Sequence, residues 1–136
     1  MAATLKLEIV TPEGKSYSDD VEMVTLPGIE GEMGIFPQHV PLVTQIAAGE
    51  IVVRKNGRDD FLAVGEGFVQ IMPERVAIMT DMAVKAANID EAQAEEARKR
   101  AESRLAEKLD DDEAAKVSAA LAHSLAQLKV KRRQRR

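Results

Sequence analysis

The sequence predicts an α+β fold, in which an N-terminal antiparallel β-sandwich is followed by a C-terminal antiparallel hairpin of two helices. Short apolar runs separated by turn residues recur about every 8–12 positions in the first part, as in sandwiches and barrels. All eight glycines lie at or before Gly67, and all five prolines lie at or before Pro73. Beyond these residues the apolar positions take helical spacing, which indicates a separate helical unit.

The boundary between the two units is expected near Val84 to Asn88, which gives a sandwich of residues 1–85 and helices over residues 86–136. Charge changes at the same place. Residues 1–84 hold 6 Lys/Arg against 13 Asp/Glu, a net charge of −7, whereas the remaining residues hold 13 against 10, a net charge of +3.

The composition favours a soluble protein with one modest core and an extension. The chain has 136 residues and is 45% hydrophobic. No apolar run approaches the roughly 20 residues that span a bilayer, and the first six residues lack the plan of a signal peptide. The chain has no cysteine, so it has no disulfide, thiolate nucleophile or zinc ribbon. We expect a protein that is not secreted.

The strands are assigned from alternation and turns, and the pair around Asn56-Gly57 is the firmest because both residues accept positive φ. The first strand alternates apolar and polar residues, and a turn follows it at Thr11 to Gly14. The predicted strands are Leu5 to Val10, Ser16 to Asp20, Val21 to Leu26, Ile51 to Arg54, Asp59 to Val64, Phe68 to Met72 and Val76 to Thr80.

Two helices are predicted after an N-cap at Asn88 or Asp90. The acidic triplet Asp110-Asp111-Asp112 is expected to end the first helix and cap the second. Because the seam between the helices is mostly alanine, it buries little area, and the hairpin is expected to leave its docked position. The two apolar stripes are Ala94, Ala97, Ala101, Leu105 and Leu109, and then Ala114, Val117, Leu121, Leu125 and Leu128.

Between the third and fourth strands lies LPGIEGEMGIFPQHVPL, residues 26–42, which we expect to be a stiff, shaped loop. Its glycines permit unusual backbone angles, while its prolines fix φ and deny ladder hydrogen bonds. Such a loop either only crosses between sheets or forms a docking rim. The second interpretation depends on Glu30, Glu32 and His39 as polar groups beside the apolar surface of Met33.

Several motif fragments do not support a chemical site. Gly14-Lys15-Ser16 lacks the first glycine and the helix of a phosphate-binding loop. The triplet at Asp110 lacks the glycine and the final glutamate of a calcium loop. His39 and His123 lie on different units, and neither has a suitably placed nucleophile. The residues therefore show no catalytic constellation and imply no metal or cofactor.

Three segments together resemble the epsilon subunit of bacterial F-type ATP synthases. They are the loop LPGIEGEMGIFPQHVPLVT with the following GEIVV, the segment VGEGFVQIMPERVAIMTD, and the alanine-rich tail. The resemblance covers nearly the whole chain. It implies a ten-stranded β-sandwich, a helical hairpin and no active site.

The resemblance also implies partners. The subunit is expected to bind the gamma subunit and the ring of membrane c subunits, and the resemblance places Glu32 and His39 near the polar loops of that ring. We add Glu30 and Met33 from the same loop to this contact with the c ring and gamma. Such a subunit couples proton flow to ATP synthesis from a peripheral position on the cytoplasmic face of the bacterial plasma membrane. The hairpin is expected to extend along gamma toward the alpha and beta subunits and to inhibit ATP hydrolysis. Its six inhibitory residues would be Lys129, Lys131, Arg132, Arg133, Arg135 and Arg136.

One feature of the family fails in this chain. Some relatives bind ATP through an Ile-Asp-x-x-Arg-Ala pattern and arginines on the second helix. Here Gln93 replaces the first arginine, while His123 and Gln127 occupy the positions on the second helix, so the cationic partners of phosphate are missing. We do not expect ATP binding.

A nucleic-acid-binding module that uses the basic tail is the alternative function. The net charge of −7 on the first part opposes it, because only the last eight residues attract phosphate. The tail also has a simpler interpretation as a helix end that complements its dipole.

Overall fold

The computed structural model describes residues 3–134, which form ten strands, a short 3-10 turn at Ala86–Asn88 and two helices. The predicted β-sandwich followed by a helical hairpin is confirmed. The strands are β1 Leu5–Thr11, β2 Gly14–Val21, β3 Met23–Gly28, β4 Gly31–Ile35, β5 Leu42–Ile46, β6 Gly49–Lys55, β7 Arg58–Val64, β8 Gly67–Met72, β9 Arg75–Thr80 and β10 Ala83–Lys85, and the helices are α1 Glu91–Leu105 and α2 Asp111–Gln134.

The strands form one ribbon in the order β10-β7-β6-β3-β5-β8-β9-β1-β2, and β4 pairs only with β3. The two ends of this ribbon fold over each other, since one buried cluster contains side chains from both. Ile51 and Leu62 come from one end, and Leu7 and Ile78 come from the other. The ion pair between Lys55 and Asp19 joins the tip of β6 to β2 and lowers the pKa of the Asp19 carboxyl.

One pair of strands departs from the predicted antiparallel pattern. β1 runs parallel to β9, with Leu7 opposite Val76 and Ile9 opposite Ile78. A parallel pair needs a long connection, and here the seven intervening strands supply it. No local sequence signal specifies such a pairing.

The hairpin around Asn56-Gly57 forms as predicted. The φ values are 54° for Asn56 and 75° for Gly57, and Lys55 pairs with Arg58 across the two-residue turn. The turn at Pro73 and Glu74 between β8 and β9 is also confirmed.

The segment 26–42 is not a continuous loop, and that part of the prediction is wrong. Its first half is a β-hairpin whose two-residue turn, Ile29 and Glu30, joins β3 to β4. Glycine is required at position 28 because the Gly31 carbonyl oxygen lies so near that a Cβ on residue 28 would stand only 2.7 Å from it. Pro27 is tolerated in β3, where its carbonyl still accepts a hydrogen bond from the Ala47 amide at 2.7 Å.

Both helices begin at aspartate caps. An Asp90 oxygen accepts from the Gln93 amide at 3.1 Å, and an Asp110 oxygen accepts from the Glu113 amide at 2.7 Å. The predicted stripe of α2 is wrong at Leu125, which is 47% exposed. α2 faces both α1 and the sheet, so its buried residues do not follow one stripe; they are Ser124, Ala126, Leu128 and Val130.

The helical hairpin is folded against the sandwich, with α2 packed on β6 and β7. Their contact forms a second, smaller cluster that includes Ala63 from the sheet and Ala126 and Val130 from the helix. No helical side chain described in the structure belongs to the main core. Within the described residues, no helix is long and apolar enough to cross a membrane.

Candidate functional site: an acidic hairpin tip and a basic helix end

The turn between β3 and β4 carries two exposed carboxylates. Glu30 lies in the turn, and Glu32 follows it on β4, opposite Pro27. Neither carboxylate has an ion-pair partner among the described residues, and the neighbouring Ile29 is 56% exposed. We call residues 28–32 the acidic tip. Gly28 pairs with Ile46 of β5, and the Ile29 amide donates to the Gln45 carbonyl at 3.4 Å. The side chains of Ile29, Glu30 and Glu32 nevertheless remain exposed, so they are accessible for docking.

The other two predicted contact residues lie elsewhere. Met33 is only partly accessible and packs against the main core, so its side chain mainly supports β4. His39 follows the far end of β4, where the Gln38 amide donates to the Pro73 carbonyl at 2.7 Å. The five residues of β4 span roughly 15 Å, so the structure does not bring His39 to the acidic tip.

The basic end of α2, residues 129–133, is engaged with the rest of the molecule. Arg132 bonds to Glu95 at 3.0 Å and Glu91 at 3.4 Å, both on α1. The Lys131 ammonium donates to the Ala86 carbonyl at 3.2 Å. The simple picture of a solvated helix end therefore does not hold.

Arg133 makes the contact with the sandwich. Its guanidinium bonds to the Glu50 carboxylate and lies 5.2 Å from the centroid of the Phe61 ring. Lys129 is exposed and has no ion-pair partner among the described residues. The remaining predicted tail residues, Arg135 and Arg136, lie outside the described residues.

The acidic tip and the basic helix end share a cavity of about 310 Å³ between α2 and the outer face of β3 and β6. Glu32 lines it from one side, while Lys129 and Arg133 line it from the other. The folded hairpin thus brings opposite charges from the two predicted sites to one cavity, which their separation in sequence did not indicate.

Sequence reasoning missed an apolar row on the outer face of the other sheet layer. Met79 is opposite Phe68 on β8 and opposite Val10 on β1, and all three side chains are exposed. Paired residues share a face of the sheet, so these three stand side by side. The sequence does carry an indication of this row in the pairs Phe68-Val69 and Ile78-Met79. Two consecutive apolar residues point to opposite faces of a strand, so one of them must lie on the outer face.

The positions of the family's ATP pattern serve structural contacts in this chain. Asp90 caps α1, and Gln127 lies 3.8 Å from the Met82 sulfur. The Nε2 atom of His123 approaches an Asp81 carboxylate oxygen to 3.0 Å, although the two are not aligned as a hydrogen bond. Over the described residues, no group of three His, Cys, Asp or Glu side chains is arranged to hold a metal.

Comparison with known sequences assigns both units to one family. The family described as ATP synthase, Delta/Epsilon chain, beta-sandwich domain matches residues 4–86, and its long alpha-helix domain matches residues 87–132. The chain belongs to the ATP synthase delta/epsilon family. Within the family it is an epsilon chain, a non-catalytic subunit of a membrane-bound ATP synthase, and nothing in these comparisons supports a nucleic-acid-binding module.

Bacterial epsilon chains match along almost their full length. The ATP synthase epsilon chain of Dehalococcoides mccartyi is 42% identical over 135 residues, which cover 98% of this chain and 96% of the relative. The epsilon chain of Syntrophobacter fumaroxidans is 42% identical over 130 residues, which cover 96% of this chain and 97% of the relative.

Solved structures agree with the fold of the epsilon chain. A chain in the cryo-EM structure of the Euglena gracilis mitochondrial ATP synthase, containing OSCP, F1 and the c-ring, matches with a TM-score of 0.76 and 25% identity. That match covers 93% of this chain and 80% of the other. A chain in the central stalk and c-ring of the Tetrahymena thermophila enzyme matches with a TM-score of 0.62 at 13% identity, which concerns the fold alone, and covers 93% of this chain and 97% of the other.

Proposed function

We propose that this subunit couples proton flow through the c-ring to ATP synthesis, and that it docks on the c-ring through the acidic tip. The observation that carries the proposal is the pair of exposed carboxylates, Glu30 and Glu32, neither of which has an ion-pair partner among the described residues, at the turn of the β3–β4 hairpin. The exposed Ile29 between β3 and β4 adds apolar contact area. A tip of this kind suits a polar loop of a partner. Its two carboxylates would set how the partner is oriented, and the Ile29 side chain would lose its contact with water on binding.

The apolar row of Val10, Phe68 and Met79 supplies a second contact, for which we propose the gamma subunit. Exposed aromatic and methionine side chains in one row are typical of protein interfaces. His39 lies on the segment between β4 and β5, whose exposed Phe36 and Val40 are a further part of this rotor contact. The subunit would then sit peripherally on the cytoplasmic face of the bacterial plasma membrane.

We also propose that the helical hairpin leaves the sandwich, extends along gamma toward the alpha and beta subunits and inhibits ATP hydrolysis. The small second cluster, in which alanines form three of the five buried residues, supports this step because little apolar area opposes release. The cations of the basic helix end would contact an acidic surface in the extended state.

The coupling role is tested with Glu32→Lys, His39→Ala and the double variant. The charge reversal should reduce ATP-driven proton pumping in reconstituted vesicles severalfold, since it replaces attraction with repulsion at the contact. Because residues 32 and 39 lie apart, the two effects on coupling should be additive. The free energy of unfolding should change by less than about 0.5 kcal/mol for Glu32→Lys, which is exposed, and somewhat more for His39→Ala, whose half-buried ring has its Nδ1 atom 2.6 Å from the Val40 carbonyl oxygen.

Glu13→Lys is the matched control, because Glu13 is an exposed carboxylate on the β1–β2 turn. It changes the net charge equally and should pump protons at the parental rate. Unchanged pumping in Glu32→Lys would remove the acidic tip from the contact with the c-ring.

A further inference from the structure

Glu50 is a buried carboxylate beneath the end of α2. It lies on the outer face of β6, opposite Ala63, and its side chain is only 6% exposed. One carboxylate oxygen accepts from Arg133, and the other has no hydrogen-bond partner among the described residues. A buried charge is costly unless it is paired, so the stability of this arrangement depends on Arg133.

Phe61 completes a seat for that arginine. It stands on β7 opposite Val52, on the same outer face as Glu50, and its ring lies beneath the Arg133 guanidinium. A planar guanidinium can pair with a carboxylate through its edge while it stacks on an aromatic ring through its face, whereas an ammonium is a compact point charge without such faces. Glu50 and Phe61 together therefore suit an arginine better than a lysine.

The neighbouring arginine provides a contrast. Arg132 and Arg133 are equally exposed, at 55% and 54%, but within the described residues the ion pairs of Arg132 are all with α1. Movement of the hairpin as a body away from the sandwich would keep the contacts of Arg132 and break those of Arg133. The contact of Arg133 with Glu50 thus exists only while the hairpin is folded against the sandwich, and it stabilises that state.

We propose that Glu50 and Phe61 form an internal docking site that holds the hairpin folded and withholds Arg133 from an acidic partner surface. The guanidinium cannot occupy both sites, so the two contacts are mutually exclusive. We call the contact of Arg133 with Glu50 and Phe61 the latch. The latch is a property of the isolated subunit, whereas its effect on regulation rests on the proposed inhibition of ATP hydrolysis by the extended hairpin.

Two variants separate these claims because they have the same effect on the latch and opposite effects on inhibition. Glu50→Gln removes the internal carboxylate and frees Arg133, so the hairpin should open more often and inhibition of the assembled ATPase should increase. Arg133→Gln also opens the hairpin but removes the cation that the partner would bind, so inhibition should decrease.

Opening is measured in the isolated subunit, which has no cysteine, by adding Ala63→Cys beneath the hairpin and following its reaction with a maleimide. Each latch variant should raise the labelling rate roughly tenfold, as expected for loss of a charged hydrogen bond. Arg132→Gln is the matched control and should label at the parental rate.

Parental labelling rates in both latch variants would overturn the internal docking site. Faster labelling with unchanged ATPase rates would keep the latch and reject the inhibitory role of the hairpin. If Glu50→Gln and Arg133→Gln changed inhibition in the same direction, the mutually exclusive use of Arg133 would be wrong.

Discussion

At the residue scale, Tyr17 shows how burial and charge act on one group. Its side chain is buried on β2, near Asp19 and Asp60, with the Lys85 ammonium 5.4 Å from the ring centroid. Burial is the main cause that raises the pKa of Tyr17 above its usual value, and the two carboxylates add to it. Both causes favour the neutral phenol in the folded protein.

We therefore expect the folded subunit to lose stability at alkaline pH. Because the folded pKa lies above the unfolded value of about 10, the contribution of Tyr17 is complete below that value and is lost as the pH rises through the folded pKa. The chain has one tyrosine and no tryptophan, so phenolate absorbance reports this group alone. Its midpoint should be higher in buffer than in urea.

Asp60→Asn should lower the midpoint of the folded protein toward the ordinary value, because it removes one of the two carboxylates. Asp20→Asn is the control. Asp20 is exposed on β2, the strand that carries Tyr17, and it is not among the causes that raise the pKa of Tyr17. Equal midpoints in buffer and in urea would contradict the expectation.

At the scale of elements, α2 is seated on the sandwich through a notch at Gly65. A Cβ at this buried glycine would overlap the Asp81 carboxylate and stand 2.7 Å from the His123 Nε2 atom. The missing side chain thus leaves the space in which the β9–β10 turn and α2 meet. This close approach explains why glycine follows Val64 at the end of β7.

Gly65→Ala should destabilise the folded hairpin by about 1 kcal/mol, the lower end of the range for overpacking, because the displaced atoms are the ends of the Asp81 and His123 side chains. The cost should appear as a lower midpoint of urea unfolding and as faster amide hydrogen exchange around His123. Gly34→Ala is the control, because its Cβ would displace one side-chain end, the Met23 methyl at 2.9 Å, whereas Gly65→Ala must displace both Asp81 and His123 where α2 packs. Equal stability of the two variants would exclude the notch.

Elements were predictable where their cause is local. Asn56-Gly57 specifies a turn through the φ values of two residues, and Asp90 specifies a helix start through one hydrogen bond. β4 was missed because its glycines and the proline before it suggest a loop, and only the pairing with β3 makes it a strand. The parallel pairing of β1 with β9 depends on the whole ribbon.

At the scale of the whole molecule, the sequence indicated the exposure of the acidic tip but not the contacts of the basic helix end. The exposure of Glu30 and Glu32 followed from their polarity beside turn glycines. The engagement of the basic end did not, because Arg133 and Glu50 are 83 residues apart and meet only when the hairpin folds back. Neutralising the tail therefore acts on the folded state as well as on the extended one.

The two separate clusters indicate that the sandwich does not need the helices in order to fold. The main core contains only sandwich residues, while the second cluster lies at the contact with the hairpin. A chain ending at Lys85 keeps all ten strands. It should unfold cooperatively, although Phe61 and Ala63 become exposed and favour association at high concentration.

If the extended hairpin inhibits hydrolysis, ATP synthase assembled with that truncated chain should hydrolyse ATP faster than the enzyme with the intact subunit. Glutamine at all six basic positions, which are Lys129, Lys131, Arg132, Arg133, Arg135 and Arg136, should raise the rate only in part. It removes attraction to the partner but also removes Arg133 from Glu50, so more hairpins extend and each one inhibits less.

The measurement is the ATPase rate of the three assemblies at low and high ionic strength. Salt screens exposed charges, so it should raise the rate of the intact assembly most and leave the truncated one nearly unchanged. The neutralised assembly should respond weakly, because the six cations proposed to contact the partner are gone. Equal rates in all three assemblies at both ionic strengths would remove the inhibitory role and leave coupling as the function of the subunit.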